Sequence, residues 1–281
     1  MIQFRASGCG LLMVEPRSKK EYYYDSAEID AKRYNKIIDL AIKTLDTSNL
    51  KHLSTSTSET NGELSDSVKT HLVDIFVSDH YNRRNDIHSR YIDKGLAVED
   101  DGITLLSRAS KTFFKKNEEH LSKGLLKGTP DLFTGESITN AEKIIDIKSS
   151  WDIFTFFRAK NSATNKLYYW QLQAYMYLSG AKTSSLVYCL IDTPETILND
   201  EKMKLMWKMG ATTDENEDFQ NACRELDKLH KYDDIPMSER FFETVIDRNE
   251  SDIERLLARC QDCIDYMNLF FYKKSITPKK L

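Results

Sequence analysis

Glycine and proline are scarce in this sequence, with 10 and 5 among 281 residues. A protein built from many β-turns uses more of both, so the scarcity argues against an all-β class and favours long helices with few strands. No apolar run approaches ~18 residues, and the N-terminal "GCGLLMV" is too short for a secretory signal. Five cysteines without regular spacing fit a reducing cytoplasm better than a disulfide framework. We therefore expect a cytoplasmic protein without a membrane span.

The overall charge does not announce a nucleic-acid partner, because 44 acidic residues outnumber 40 basic ones and give a net charge of −4. Basic residues do cluster locally, but such runs are most often solvated surface. Composition alone therefore leaves the partner open. The clusters are Lys19–Lys20, Arg83–Arg84, Lys115–Lys116 and a tail with Lys273, Lys274, Lys279 and Lys280.

The first third of the chain has the apolar spacing of helices. Helical periodicity is clear over residues 27–45, and a Ser/Thr-rich loop follows before a second helix, "SVKTHLVDIFVSDHY". The stretch "YIDKGLAVEDDGITLLSRAS" predicts one half-buried helix with irregularities at Gly95 and Gly102.

The middle of the chain changes to strand-like patterns from about residue 112. "TFFKKN", "HLSKGLLKGTPDLF" and "KIIDIKSS" predict successive strands, the last two joined as a hairpin by "TGESITNAE". "LYYWQLQAYMYLSGA" predicts a helix that stops near Gly180, and "SSLVYCLID" a strand closed by Thr193–Pro194. Residues 90–192 thus predict the order α-β-β-β-α-β.

The last segment of the chain is only partly interpretable. Residues 195–235 are charged and partly helical, and are expected to be an insert. Ser251-x-x-Glu254 is a capping box, which starts a helix with an apolar stripe. We expect one domain over residues 1–281, with a helical N-terminal region over 1–89, a core over 90–194, the insert over 195–235 and a C-terminal strand and helix over 236–272. The stripe comprises Ile253, Leu256, Leu257, Ile264 and Met267.

Two charged residues in an isoleucine-rich strand single out a candidate site. In "IIDIKSS", Asp146 and Lys148 share one face, because side chains on a strand repeat every second residue. Burying both is costly unless they serve each other or a metal. The hairpin brings Asp131 of "KGTPDLF" towards Asp146, and a hard cation is the usual remedy for two converging carboxylates.

Mg²⁺ suits these oxygen ligands, and Asp131, Asp146 and the carbonyl of Ile147 would form part of its shell. Lys148 could then hold or deprotonate a water, or neutralise charge that develops on a phosphate, which is metal-assisted phosphodiester hydrolysis. Glu99, on the preceding helix, could supply a third carboxylate. The alternative is a solvent-facing hairpin with a simple Asp–Lys salt bridge.

The helix after this strand carries further polar candidates. Gln171 and Tyr175 are four residues apart, share a face and could reach phosphates or bases. Gln173 is rotated well away from them, so one face or the other looks at the site. For the aromatic residues of this helix, packing on the sheet is favoured over base stacking. They are Tyr168, Tyr169, Trp170 and Tyr177.

The ordered set of these motifs resembles the PD-(D/E)xK nuclease superfamily, in particular its phage-type, lambda-exonuclease-like (YqaJ) and RecB-like branch. The set comprises Glu99 in "KGLAVEDDGI", Pro130–Asp131, Asp146-x-Lys148 and Gln171-x-x-x-Tyr175. The resemblance implies an α/β, restriction-endonuclease-like core, an α-β-β-β-α-β mixed sheet flanked by helices, with helical N- and C-terminal additions. "FRASGCGLLM" is similar to the segment whose serine helps to hold a DNA 5′-phosphate, which maps onto Ser7. Lambda-type enzymes often have Glu where this sequence has Asp146.

The resemblance implies a Mg²⁺-dependent DNA exonuclease that acts from duplex ends, with Mn²⁺ able to substitute. It also implies phage-type recombination or DNA processing in a bacterial or phage-infected cell, with a single-strand annealing protein as partner and a ring trimer as assembly. Two alternatives stay open, a sequence- or structure-specific endonuclease of the same superfamily and a catalytically inactive DNA-binding module.

The cysteine and histidine patterns do not favour other metals. Some RecB-like relatives bind an iron–sulfur cluster with one early and three late cysteines, but here no third late cysteine follows Cys260 and Cys263. Four thiolates are needed, so buried helix cysteines are favoured. The six histidines form no His-x-x-x-His or His-Glu pair, so zinc is not supported.

Overall fold

A computed structural model describes residues 2–16, 64–85 and 89–272. The chain divides into two compact units, Met1–Val14 with Ser67–Leu281, and Glu15–Asp66. The second unit lies almost entirely outside the described residues, as do the helix expected over residues 27–45 and most of the loop after it. All of the candidate site residues belong to the first unit.

The N-terminal half of this unit combines helices with three short strands. Strands β2 and β3 pair antiparallel, and β1 pairs parallel with β3, so that the start of the chain completes a three-stranded sheet. The elements are β1 (Phe4–Arg5), α1 (Cys9–Leu12), α2 (Asp66–Tyr81), α3 (Arg90–Ala97), α4 (Glu99–Ser110), β2 (Leu121–Lys123) and β3 (Leu126–Gly128).

Three expectations in this half were wrong. The single strand expected over residues 120–133 is divided into β2, β3 and the start of the next strand, Leu132–Gly135. The single helix expected after residue 90 is two helices, broken at Val98 rather than at Gly95 or Gly102. Val98 is buried in the core and leaves the helical conformation, with φ −113° and ψ 14°. "TFFKKN" is not a strand, and Phe113 is 89% exposed, because this segment runs outside both sheets. The break makes Glu99 the first residue of α4, where the helix dipole favours an acidic side chain.

The main sheet has four strands in the order β4-β5-β6-β7. The expected hairpin β4–β5 is present, β5 and β6 are parallel, and β7 is antiparallel to β6. The mixed sheet with flanking helices confirms the expected fold class. The remaining elements are β4 (Leu132–Gly135), β5 (Ala141–Ser149), α5 (Ile153–Lys160), α6 (Lys166–Ser179), β6 (Thr183–Cys189), α7 (Glu195–Met209), α8 (Glu217–His230), β7 (Phe241–Asp247) and α9 (Glu250–Met267).

The two faces of the main sheet differ in chemistry. On one face, Ile145 and Ile147 of β5 pack in a core cluster with apolar residues of α4. The alternating residues Asp146 and Lys148 therefore lie on the other face, beneath α6. Helix α6 ends as expected at Gly180, whose φ of +83° is easily adopted only without a side chain. The strand pattern of β5 thus places two charged side chains under a helix.

The C-terminal helix begins slightly earlier than the capping box suggested. Asn249, not Ser251, is its N-cap, and its side chain accepts a hydrogen bond from the Asp252 N–H at 3.1 Å. Residues 195–235 form α7 and α8, which pack on each other. Across the described ranges, no helix is long and apolar enough to cross a membrane.

Candidate active site

Asp131 stands at the entrance of β4, where Asn117 holds the preceding backbone. The Asn117 N–H donates to the carbonyl of Asp131 at 2.8 Å, and its side-chain Nδ2 donates to the carbonyl of Pro130 at 2.9 Å. Upstream, a side chain at Gly128 would lie 2.9 Å from the Tyr175 ring and 3.0 Å from Ala6 Cβ. The Gly-Thr-Pro-Asp sequence is thus fixed from two sides, and Asp131 has little freedom to move.

The carboxylate of Asp131 connects the two strands of the hairpin. Its Oδ2 accepts a hydrogen bond from the backbone N–H of Ile147 at 2.8 Å. Ile147 lies between Asp146 and Lys148, so this bond fixes Asp131 against the charged part of β5. The side chain of Ile147 points into the core and is 7% exposed, which leaves its backbone as the only part able to serve the site.

Asp146 is the most deeply buried charge of the site, with 1% of its side chain exposed. Gln171 Nε2 donates to its Oδ1 at 3.0 Å. Lys148 Nζ lies 2.6 Å from its Oδ2, close enough for an ion pair. Nevertheless, within the described residues no donor meets Oδ2 with hydrogen-bond geometry. Asp146 Oδ2 is therefore buried, and its closest partner is the positive charge of Lys148.

Burial and crowding make both carboxylates reluctant to ionise. Burial, followed by the negative charge of Asp146, raises the pKa of Asp131 to about 7. Burial also raises the pKa of Asp146, although Lys148 opposes this effect. Burial disfavours the ammonium of Lys148, but the charges of Asp146 and Asp131 outweigh it and raise the pKa of Lys148. The raised pKa favours the ammonium form of Lys148 in the metal-free site.

Glu99 lies near the two aspartates but is engaged elsewhere. Its charge contributes to the raised pKa values of Asp131 and Asp146. Its carboxylate, however, is 3.1 Å from Lys116 Nζ, which also contacts Asp100 at 3.2 Å. In the described ranges, three or more His, Cys, Asp or Glu side chains nowhere come together closely enough to hold a metal ion. The structure brings together Asp131, Asp146 and Lys148, with Glu99 held at the side by Lys116.

Gln171 and Tyr175 share a face of α6, as their spacing predicted, and this face is the one turned to the site, where both contact protein rather than solvent. Besides Asp146, Gln171 Nε2 reaches the Tyr175 hydroxyl at 3.3 Å, and that hydroxyl donates to the carbonyl of Thr129 at 3.2 Å. Gln171 is 6% and Tyr175 5% exposed. Gln171 and Tyr175 thus form a hydrogen-bonded link between β5 and the Gly-Thr-Pro-Asp segment, hereafter the brace, and neither side chain is accessible to DNA in this conformation.

Gln173 has a different role from the one expected. It is fully buried, its Nε2 donates to the carbonyl of Asp247 at 2.8 Å, and its Oε1 accepts from the Asn249 N–H at 3.0 Å. Both ends of the amide are therefore used to join α6 to the β7–α9 connection. The expectation that Gln173 contacts DNA is not compatible with these contacts, because it lies on the face of α6 turned from the site.

Ser7 is the exposed middle residue of the Ala6–Gly8 turn that follows β1. Its neighbour Ala6 is buried beside Gly128 and Tyr175, which places this turn next to the brace. Arg5, also exposed, is in register with Lys127 on β3. The N-terminal segment thus offers the hydroxyl of Ser7 and the basic side chain of Arg5, and β3 adds Lys127 beside Arg5.

The cysteines include a cluster that the sequence did not predict. Cys9 lies on α1, which packs against α9, the helix that carries Cys260 and Cys263, and the pKa values of Cys9 and Cys260 are raised by burial first and then by thiols of this group. All three are buried and free. Four thiolates are needed for an iron–sulfur cluster, so this group is consistent with packing in the α1–α9 contact.

Three contributors to the site carried no usable sequence signal. Asn117 acts on residues more than ten positions away, and Lys116 belongs to an ordinary-looking basic pair. Tyr168, expected to pack on the sheet, has its ring 5.0 Å from Lys148 Nζ and so borders the cation directly.

No protein-family model matches the sequence, and no curated protein matches it either. Solved structures do match it along nearly its whole length. A phage-related exonuclease from Haemophilus somnus 129PT is 18% identical with a TM-score of 0.63, covering 97% of this chain and 96% of that one. An alkaline exonuclease from Laribacter hongkongensis is 11% identical with a TM-score of 0.54, covering 97% and 93%. The chain therefore has the fold of these exonucleases, which confirms the fold implied by the resemblance to PD-(D/E)xK nucleases.

Proposed function

We propose that the protein is a Mg²⁺-dependent DNA exonuclease that hydrolyses phosphodiester bonds from duplex ends. The observation that carries the proposal is a pair of carboxylates with a single lysine beside them, Asp146 fully buried and Asp131 half-buried. One lysine can balance one carboxylate, and a site with an excess negative charge in an apolar sheet is suited to a divalent cation.

The chemistry of the donors fits magnesium. Asp146 Oδ2 is buried with the Lys148 ammonium as its one close partner in the described part of the chain, and carboxylate oxygen is the ligand type that Mg²⁺ prefers. Mg²⁺ commonly uses only one or two carboxylates and completes its shell with water and substrate phosphate, so three converging acids are not required. Asp131, Asp146 and the carbonyl of Ile147 would hold it, with Glu99 directly or through water. When bound, the ion stabilises negative charge on the phosphate.

The residues of the chain itself have distinct tasks in this proposal. Lys148, protonated beside Asp146, stabilises charge that develops on the phosphate oxygens and orients the attacking water. Gln171 fixes the orientation of Asp146, and Asn117 fixes the backbone that carries Asp131. These groups are preorganised by hydrogen bonds before substrate arrives, so little reorganisation is required at the barrier.

DNA would approach from the side of the N-terminal turn. Ser7 is exposed there, and Arg5 and Lys127 lie side by side on neighbouring strands. Arginine, lysine and hydroxyl side chains are the usual contacts to DNA phosphates. We propose that this segment holds the 5′-phosphate of a DNA end. Gln171 and Tyr175 would support the site indirectly, through their hydrogen bonds to Asp146 and to the Thr129 carbonyl.

We propose that residues 1–281 form one nuclease domain. Its core comprises residues 90–194, and α7 and α8 form an insert. A cytoplasmic setting, recombination or DNA processing, a single-strand annealing partner and a ring trimer follow from the resemblance. Sedimentation of the purified protein tests the trimer, and a monomer at all concentrations would refute it.

Incubation with linear and with covalently closed circular DNA, each with Mg²⁺ or with EDTA, tests the activity. We expect loss of the linear DNA alone, and only with Mg²⁺. Nicking or cutting of circles would replace the proposal with an endonuclease. Retained DNA in every lane, together with measurable DNA binding, would identify a DNA-binding module without activity.

A further inference from the structure

A second set of side chains lies beside the charged pair on the same face of the main sheet. Lys148 is in register with Tyr188 on β6, and Tyr188 is in register with Phe242 on β7. The row beneath runs in the same way from Asp146 through Leu186 to Thr244. Residues paired across strands project to the same face, so the candidate active site continues sideways into an apolar floor.

This floor is the bottom of a cavity of about 330 Å³. Its other walls come from the end of α5 and from the connection between α5 and α6, which contributes Lys160 and Ser162, Ala163, Thr164 and Asn165. The size lies within the range of small-molecule sites, roughly 300–1,000 Å³. The cavity has an aromatic and aliphatic base and a rim of hydroxyl and amide groups with one lysine.

Aromatic rings connect the cavity to the catalytic lysine. The Tyr168 ring lies 5.0 Å from Lys148 Nζ, and the centroids of Tyr168 and Tyr188 are 6.4 Å apart. Tyr188 stacks on Phe242 with centroids 4.9 Å apart and planes inclined by 11°. Tyr168, Tyr188 and Phe242 are all half-buried, so their remaining surface is available to a ligand. A group held at Lys148 and a group in the cavity would thus be close neighbours.

We propose that this cavity, hereafter the β6–β7 cavity, holds the nucleobase of a nucleotide adjoining the scissile phosphate. The inference rests on the proposed DNA cleavage and specifies how the active site binds its DNA substrate. A nucleobase has flat apolar faces and neutral polar edges, which match the aromatic floor and the hydroxyl and amide rim. Stacking on aromatic side chains tolerates every base, so the cavity would add affinity and position without selecting a sequence.

Scanning a linear duplex with single abasic sites tests this on the unmodified protein. Each duplex lacks one base at a known distance from the end, and the cleavage rate at every phosphate is read from an end-labelled ladder with Mg²⁺. We expect cleavage to slow by about tenfold or more at one fixed offset from the missing base, in line with the loss of a stacked base. The slow step should move along the ladder with the abasic site.

A pair of neighbouring substitutions on β7 gives the matched test. Thr244 lines the cavity, whereas Val245 points to the opposite face and is 58% exposed. Thr244→Phe fills the cavity, and Val245→Phe adds the same ring to the same strand outside it. We expect Thr244→Phe to cut intact DNA about tenfold more slowly and to lose its sensitivity to the abasic site. Val245→Phe should stay within about twofold of wild type. Circular dichroism and melting temperature confirm that both variants are folded.

The possible results separate the two ideas. Wild-type cleavage that is indifferent to every abasic position overturns the β6–β7 cavity as a base site and leaves the exonuclease proposal standing. The same holds if folded Thr244→Phe cuts at the wild-type rate with the same abasic profile. Wild-type protein that does not cut intact linear DNA with Mg²⁺ overturns the proposed function and the base site with it.

Discussion

Replacing Asp131 by asparagine should stabilise the metal-free protein while it abolishes its activity. Asparagine keeps an oxygen that can accept the hydrogen bond from the Ile147 N–H, which is 2.8 Å from Asp131 Oδ2. It removes the negative charge that burial and Asp146 oppose. The substitution therefore removes the free-energy cost of burying the Asp131 charge while it keeps the hydrogen bond to Ile147.

The magnitude follows from the raised pKa of Asp131. The pKa is about 7 in the folded chain against an ordinary value of 3.8. The folded state therefore binds the proton more tightly, and the unfolding free energy of the wild type falls as pH rises from about 4 to about 7. One pKa unit corresponds to about 1.4 kcal/mol, so the loss has an upper bound of about 4 kcal/mol. Asp131→Asn lacks this loss, so its advantage should grow over that pH range and stay constant above it.

Urea denaturation of both proteins in EDTA, from pH 4 to pH 8, measures the difference. Mg²⁺ should then raise the melting temperature of the wild type at pH 8 but not that of Asp131→Asn, because ligand binding stabilises only a state that binds it. The reasoning fails if the two proteins show parallel pH profiles, or if Mg²⁺ stabilises the variant as much as the wild type.

Two further predictions concern residues that contact the Asp131 and Asp146 region, and a third concerns Lys94, a buried lysine near Trp151 and Asp152. Lys148→Met should reduce single-turnover cleavage on the order of a hundredfold or more with DNA affinity much less affected, because its charge acts mainly at the barrier. Asn117→Ala should cost about 1–3 kcal/mol of unfolding free energy by leaving the Pro130 carbonyl without its donor, and should weaken the response of the melting temperature to Mg²⁺. Lys94 is 1% exposed and its Nζ donates to the Trp151 carbonyl at 2.8 Å, and burial lowers its pKa from 10.5 to about 8. Wild-type stability should therefore rise between about pH 8 and pH 10.5, so any advantage of Lys94→Met in urea denaturation should shrink by about 3 kcal/mol over that range.

Each of these has a result that contradicts it. Unchanged cleavage by Lys148→Met would make the lysine a structural partner of Asp146. An Asn117→Ala protein with wild-type stability and an unaltered response to Mg²⁺ would show that the Pro130–Asp131 segment needs no support. A stability difference between Lys94→Met and wild type that is constant from pH 8 to pH 10.5 would mean that Lys94 keeps its ordinary pKa in the fold.

The main sheet and its charged pair were predictable from local pattern. Period-two alternation places Asp146 and Lys148 on one face of β5, and a turn-rich link makes an antiparallel hairpin that brings Asp131 alongside. The spacing of Gln171 and Tyr175 correctly put them together on one face of α6. All of these features depend on neighbours in sequence, and periodicity reports such neighbours well.

The features that could not be predicted depend on contacts between distant segments. The helix breaks at Val98, whose side chain packs in the core under the sheet. Helix propensity describes local preferences and does not predict such a tertiary contact. Periodicity separates Gln171 from Gln173 but cannot say which side of α6 meets the sheet, so Gln173 was wrongly expected at DNA. Asn117 acts through carbonyls that become its neighbours only after folding, and Lys116 meets Glu99 only because α4 starts where it does.

The central claim is that Asp131, Asp146 and Lys148 form a metal-dependent centre for phosphodiester cleavage. The most direct test compares wild type with Asp146→Asn on end-labelled linear duplex DNA in Mg²⁺, with DNA affinity measured in parallel without the metal. The account predicts that wild type shortens the DNA progressively from its ends, and that Asp146→Asn binds DNA with similar affinity but does not cut it. Cleavage by Asp146→Asn at the wild-type rate, or cleavage by wild type that persists in EDTA, would contradict it.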